Sequence, residues 1–80
     1  MAQVTFPDSL LILSDNTREV EVAAANYREL VLALDKRFAG MGEALESMAV
    51  AIDGQIYQDA FLEPLQPNAE VFFMQRIEGG

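Results

Sequence analysis

With 80 residues, 51% of them apolar, the chain is long enough for one small domain over residues 1–80, with a free energy of unfolding on the order of 5 kcal/mol. It contains no cysteine, histidine or tryptophan, which excludes disulfides, thiol nucleophiles, imidazole bases and the usual nitrogen and sulfur ligands of zinc, iron and copper, so we expect no bound cofactor or metal. Its formal net charge of −8 disfavours nucleic acid and anionic membranes as partners; it suits docking on a basic protein surface, or simply solubility.

The first part of the chain predicts two short strands. Residues 3–6 alternate polar and apolar side chains, with Val4 and Phe6 facing inward. Residues 18–22 alternate strictly and follow the turn residues 14–16, which predicts a half-exposed strand. Between these segments, residues 10–13 fit either a helix or a strand.

From Asn26 the apolar period changes from two to about 3.6, which predicts a helix. One stripe of this helix collects the side chains of Tyr27, Leu30, Val31, Leu34 and Phe38. Asn26 as N-cap, with Glu29 three residues later, fits a variant of the capping box, and Gly40 or Gly42 ends the helix. A second short helical segment is expected over residues 43–48.

The second half of the chain predicts a hairpin, a connection and a last strand. Residues 48–52 alternate large apolar side chains with alanine, and Asp53-Gly54 is a strong signal for a two-residue turn before a short strand over residues 55–57. Residues 62–68 contain two prolines and are excluded from a central strand. They lead to the last strand over residues 70–74.

The predicted fold class is α+β, with a mixed sheet of four or five strands that packs one face against the main helix. In the last strand, alternation places Val71 and Phe73 on one face and Phe72 and Met74 on the other. If the first pair enters the core, Phe72 and Met74 lie on the open face. Large apolar side chains exposed together are typical of a partner surface, the alternative being that loops cover them.

The chain ends with two glycines directly after the last strand and its short extension. This ending, together with the order of the elements, resembles the ubiquitin-like β-grasp sulfur carriers of the MoaD/ThiS family. The resemblance extends over nearly the whole chain and rests on residues 18–22, 27–30, 51–55, 64–65, 70–71 and 79–80. Within the family the chain looks most like the small subunit of molybdopterin synthase, because of the connection before the last strand and Ile77. Gln75-Arg76 and Glu78 depart from the pattern of that branch.

The resemblance implies a function in which the chain has no catalytic residue of its own. A ubiquitin-activating-type adenylating enzyme uses ATP to adenylate the carboxylate of Gly80, and a sulfur donor protein then displaces AMP. The resulting thiocarboxylate donates its sulfur to a pterin precursor on the larger subunit of molybdopterin synthase. Adenylation fits the chemistry of a carboxylate, whose oxygen is a poor leaving group until it is activated.

By the same resemblance, residues 76–80 form a mobile tail that enters the partner's active site. Ile77, Glu78 and Gly79 lead to the reacting Gly80, and glycine allows a close backbone approach that a Cβ would obstruct. The predicted partner interface consists of Phe72, Met74 and Arg76.

Other functions stay open. The alternatives are that the chain is a sulfur carrier for thiamine or for another thiolation pathway, or that it is a β-grasp protein-binding module with an inert C-terminus. An enzyme would depend on carboxylate pairs such as Glu43 with Glu46 or Asp53 with Asp59, for which solvated surface charge is the simpler explanation. Because apolar runs such as residues 10–13, 30–34 and 48–52 are far too short to span a bilayer and the N-terminus lacks a signal-peptide pattern, we expect a cytoplasmic location and no membrane partner.

Overall fold

A computed structural model describes residues 1–76. Its elements are β1 (Ala2–Thr5), β2 (Glu19–Val22), α1 (Tyr27–Arg37), α2 (Met41–Glu46), β3 (Met48–Ile52), β4 (Gln55–Tyr57) and β5 (Glu70–Gln75). The strands form a five-stranded sheet in the order β2-β1-β5-β3-β4. Strand β5 pairs in parallel with β1 and antiparallel with β3, so the sheet is mixed, as predicted.

The alternation predicted for the first two strands is confirmed. Val20 and Val22 on β2 are buried and pair with Val4 and Ala2 on β1, while Glu19 and Glu21 are exposed. Phe6 follows β1 directly and is fully buried. Because side chains alternate between the two faces of a strand, one face of this pair supplies the core and the other faces solvent.

The segment between β1 and β2, ambiguous in sequence, is a short 3₁₀ helix over Asp8–Leu10 followed by turns. Ser14 is buried there, and its hydroxyl donates to the carbonyl of Thr17 at 2.8 Å. Asp15 and Asn16 have φ values of 55° and 62°, in the left-handed region that these two residue types tolerate better than most. Local side-chain hydrogen bonding thus replaces regular structure in this segment.

Helix α1 begins with the predicted cap. The backbone N–H of Glu29 donates to the Asn26 side chain at 2.9 Å, and the Glu29 carboxylate accepts from the N–H of Ala25 at 3.1 Å. The reciprocal bond therefore reaches one residue further back than in a standard capping box. Gly40, at φ 86°, allows the sharp turn after the helix that a residue with a Cβ would strain.

The second helix differs from its prediction. It spans Met41–Glu46 rather than residues 43–48, because Met41 is fully buried and anchors its start, while Met48 already pairs with Gln75 in the sheet. The N–H of Gly42 donates to the carboxylate of Asp35 at 2.9 Å, which ties α2 to α1. Burial and strand pairing therefore determine where the helix starts and ends.

The core lies between α1 and one face of the sheet. Val71 and Phe73 enter it, as predicted, beside the buried Leu30 and Leu34 of the helix. The ring of Phe73 stacks on that of Phe6 with centroids 6.0 Å apart. Offset stacking of this kind adds to the stabilisation that burial alone provides.

The hairpin between β3 and β4 has the predicted turn. Asp53 and Gly54 have φ values of 49° and 85°, the left-handed pair that a two-residue turn between twisted strands requires. The Asp53 carboxylate also accepts from the N–H of Glu70 at 2.9 Å. The turn is therefore fastened to the start of β5.

Candidate functional site

Strand β5 carries Phe72 and Met74, two of the three predicted interface residues, and it lies in the middle of the sheet between β1 and β3. Strands β1 and β3 are both hydrogen-bonded to β5, so the backbone that carries Phe72 and Met74 is paired on both sides. The described chain ends at Arg76, one residue after β5. A partner that binds next to β5 would be close to the point where the C-terminal residues begin.

The sheet face turned away from α1 is called the open face here. Register and alternation place on it the side chains of Gln3, Thr5, Glu19, Glu21, Ala49, Ala51, Ile56, Glu70, Phe72 and Met74. This distribution follows from the confirmed inward orientation of Val71 and Phe73, because successive side chains of a strand point to opposite faces.

An apolar patch occupies the β5, β3 and β4 side of the open face. Phe72 is 45% exposed and Ile56 is 55% exposed, whereas Met74 is partly buried. Ala49 pairs with Met74, and Ala51 pairs with Phe72 and with Ile56. Both alanines are nevertheless buried. The two alanines thus lie between the side chains of Phe72, Met74 and Ile56, and the apolar patch is continuous.

The other side of the open face is acidic. Glu21 and Glu70 both pair with Gln3 from opposite sides, and Glu19 pairs with Thr5, which pairs in turn with Phe72. Carboxylates therefore border the apolar patch along β2 and at the start of β5. A partner surface with an apolar centre and basic residues on one side would match this arrangement.

Ile56 was not among the residues predicted from the sequence. The signal that could have identified it is the position of Ile56 two residues after the Asp53-Gly54 turn, directly across from Ala51. In a two-residue hairpin the register follows from the turn, so a large apolar side chain opposite an open-face alanine joins the same patch.

The side chain of Arg76 contacts its own chain. The guanidinium Nη2 donates to the carbonyl of Gln58 at 3.0 Å and to the carbonyl of Glu46 at 3.3 Å. Arg76 also lines a groove of about 1000 Å³ between α1, α2 and residues 58–61. The interface prediction for this residue stays a prediction, and the structure adds an intramolecular role to it.

The groove beside Arg76 has two exposed apolar side chains, Leu32 of α1 and Phe61, and the guanidinium of Arg28 lies 5.7 Å from the centre of the Phe61 ring. Sequence reasoning did not identify this groove. Leu32 lies off the apolar stripe of α1, which is the signal that could have indicated a second exposed apolar surface.

The carboxylates considered for an enzyme either accept backbone hydrogen bonds or are exposed to solvent. Asp53 binds the backbone of Glu70, and Asp59 accepts from the N–H of Phe61 at 3.4 Å. Glu43 and Glu46 are exposed on α2. Within residues 1–76, no group of three or more acidic, histidine or cysteine residues is arranged to hold a metal ion.

Burial raises the pKa of Tyr27 to about 12, which follows from the cost of desolvating its phenolate.

The remaining predicted site residues, Ile77, Glu78, Gly79 and Gly80, lie outside the described residues. The tail predicted over residues 76–80 is therefore described only at Arg76. Among the helices of residues 1–76, none is both long enough and apolar enough to cross a membrane.

Comparisons with known proteins give a match in structure alone. No protein-family model matches the chain, and no curated protein matches it in sequence. A chain in the crystal structure of the Amycolatopsis orientalis BexX/CysO complex is similar over 100% of both chains, with a TM-score of 0.87 and 16% identity. The crystal structure of Mycobacterium tuberculosis CysO, an antigen, covers 96% of this chain and is covered completely, with a TM-score of 0.86 and 10% identity. These matches establish the β-grasp fold predicted from the sequence.

Proposed function

We propose that the chain is a ubiquitin-like sulfur-carrier protein that works through the carboxylate of Gly80. The proposal rests above all on the likeness to the CysO structures along the whole chain, a likeness that supports a ubiquitin-like sulfur-carrier role. The sequence supports it independently, since Gly79-Gly80 follows the last strand and its short extension at the C-terminus.

In the proposed reaction, an adenylating enzyme of the ubiquitin-activating type supplies the catalysis. The Gly80 carboxylate attacks the α-phosphorus of ATP, and pyrophosphate leaves. A hydrosulfide equivalent from a sulfur donor protein then attacks the acyl carbon, so that a C–S bond forms while the C–O bond to AMP breaks. The mixed anhydride is needed because a free carboxylate has no adequate leaving group.

The apolar patch of Phe72, Met74 and Ile56 is the proposed docking surface for the partner proteins. Its location next to the end of β5 brings a bound partner close to the start of the C-terminal residues. The Amycolatopsis structure, in which CysO forms a complex with BexX, supports the idea that proteins of this fold dock onto other proteins. The acidic border of Glu19, Glu21 and Glu70 would favour a partner with basic residues facing them.

Two destinations are proposed for the sulfur, and each has a different reason. The sequence resemblance favours a pterin precursor on the larger subunit of molybdopterin synthase, whereas the likeness to CysO is equally compatible with another thiolation pathway. Acceptor specificity depends on the partner's active site, so purified thiocarboxylated protein should be offered to each candidate acceptor enzyme. Loss of the added sulfur mass on incubation with one enzyme alone would identify the acceptor.

The first test measures the intact mass after incubation with ATP, an activating enzyme and a sulfur donor. Replacement of one acyl oxygen by sulfur should add about 16 Da at the terminus. Deletion of Gly79-Gly80 should abolish this gain while the circular dichroism spectrum stays unchanged. If the full chain gains no mass although the enzyme is active on another carrier, the chain is a binding module and the proposal fails.

The second test addresses the docking surface. Phe72→Asp should weaken binding to the activating enzyme by at least tenfold, because a carboxylate would be desolvated in an apolar contact. Ile12→Asp is the matched control, since Ile12 is 87% exposed and lies outside the open face. Binding is measured by isothermal titration calorimetry on variants whose thermal midpoints show that they are folded. Equal affinities for the two variants would exclude this surface.

A further inference from the structure

Arg76 joins three parts of the chain that are distant in sequence. Its Nη2 donates to the carbonyl of Gln58, 18 residues away, at 3.0 Å, and to the carbonyl of Glu46, 30 residues away, at 3.3 Å. Gln58 directly follows β4, and Glu46 is the last residue of α2. The end of β5 is thereby connected both to the helical side of the molecule and to the edge hairpin.

The carbonyl of Glu46 is a suitable acceptor. The last four carbonyls of an α-helix have no hydrogen-bond partner within the helix, and they carry partial negative charge. Helix α2 has no basic residue in its own last turn. Arg76 therefore brings a cation to a helix end that lacks one, and a hydrogen bond from a charged donor is stronger than a neutral one.

From this geometry, and resting on the proposed function, we propose that Arg76 is a positioning residue for the activation of Gly80. Its two hydrogen bonds fix the direction in which the chain leaves β5 before any partner binds. A partner that accepts the C-terminus then has to order fewer backbone dihedrals. Ordering one residue in advance is equivalent to a roughly five- to thirtyfold gain in binding.

The test compares three variants as substrates of a ubiquitin-activating-type enzyme at steady state. The rate of adenylation is measured by the exchange of labelled pyrophosphate into ATP. Arg76→Met keeps the length of the side chain but removes its donors and its charge. It should raise KM roughly five- to thirtyfold and change kcat less than about twofold, because pre-ordering assists binding of the ground state and transition state equally. Arg76→Lys keeps a cationic donor and should restore most of the loss. Lys36→Ala removes one positive charge elsewhere and should behave as the wild type.

A second measurement needs no partner. In the wild-type protein the backbone ¹⁵N order parameter of Arg76 should be about 0.85, and in Arg76→Met it should fall below about 0.6. An unchanged order parameter overturns the proposal. If KM rises while the order parameter stays unchanged, Arg76 contacts the partner directly, as the sequence predicted, and the positioning role is excluded.

The two proposals fail in different ways. If the wild-type chain is not activated by an enzyme that activates another carrier, the sulfur-carrier function fails, and the order parameter alone decides whether Arg76 orders the chain. If the wild-type chain is activated and Arg76→Met has an unchanged KM, the positioning role fails while the sulfur-carrier function stands.

Discussion

Asn26 and Tyr27 are neighbours at the start of α1, and they differ in how far sequence predicts their roles. The cap on Asn26 was predicted because the bond to the N–H of Glu29 spans three residues. The apolar period places Tyr27 on the stripe of α1, but its contacts depend on the fold. The centroid of its ring lies 6.4 Å from that of Phe73 on β5. Local hydrogen bonds are encoded locally, whereas burial depends on distant residues.

Because Tyr27 is buried, we expect the free energy of unfolding to decrease at alkaline pH. Its pKa is raised from 10.0 to about 12 by desolvation, so the folded protein binds the phenolic proton more tightly than the unfolded chain does. The resulting stability is fully present below pH 10 and is lost as the pH rises towards about 12. We expect a loss on the order of 1–2 kcal/mol across this window.

Urea unfolding of the wild type and of Tyr27→Phe at pH 8 and at pH 11 checks this expectation. The phenylalanine variant has no proton to lose at this position, so its stability should decrease less over the same interval. Equal decreases in the two proteins would show that other groups cause the alkaline loss.

At the scale of the element, β5 explains why two adjacent phenylalanines have different environments. Phe73 is 4% exposed and Phe72 is 45% exposed, because successive positions of a strand face opposite sides of the sheet. The sequence predicted this division correctly. It did not reveal that Ala49 and Ala51 lie beneath the patch, because the pairing of β3 with β5 joins residues more than 18 positions apart.

Phe73→Ala should cost about 3–5 kcal/mol, which approaches the whole stability expected of a domain this small. Phe72→Ala should cost about 1 kcal/mol, since the side chain is already half exposed. Chemical denaturation of both variants measures the difference. Phe73→Leu, which keeps an apolar side chain, provides a folded variant if the alanine variant is unfolded. Similar losses for the two alanine variants would contradict the assignment of the two faces.

At the scale of the whole molecule, the net charge of −8 produces electrostatic repulsion among the acidic side chains. An ion pair is formed by Arg18 and Asp8 at 2.7 Å, but both side chains are largely exposed, and such pairs contribute little. Carboxylates of β2 and β5 also share the open face. Repulsion among like charges therefore opposes folding.

We expect the free energy of unfolding to rise when the sodium chloride concentration increases from about 10 mM to about 150 mM, because the Debye length falls from about 30 Å to about 8 Å. Urea unfolding at both concentrations measures this. The double substitution Glu19→Gln and Glu21→Gln reduces the net charge from −8 to −6 and should weaken the salt dependence. A decrease in stability with salt would mean that attractive ion pairs dominate.

The sequence by itself determined the elements whose signals are local. Alternation located β1, β2 and β3, the Asp53-Gly54 pair located the hairpin turn, and the apolar period with its cap located α1. Each signal depends on residues within a few positions, and each is confirmed. The chemistry proposed for Gly80 also comes from the sequence, since the residue lies outside the described part of the chain.

Tertiary structure alone decided the order of the strands, the start of α2 and the contacts of Arg76. The parallel pairing of β1 with β5 joins the first and last strands of the described chain, and the acceptors of Arg76 are 18 and 30 residues away. Such contacts depend on which elements pack together, and that is governed by the burial of the whole apolar surface rather than by any local pattern. The open face and the end of β5 therefore become one candidate site only when the chain is folded.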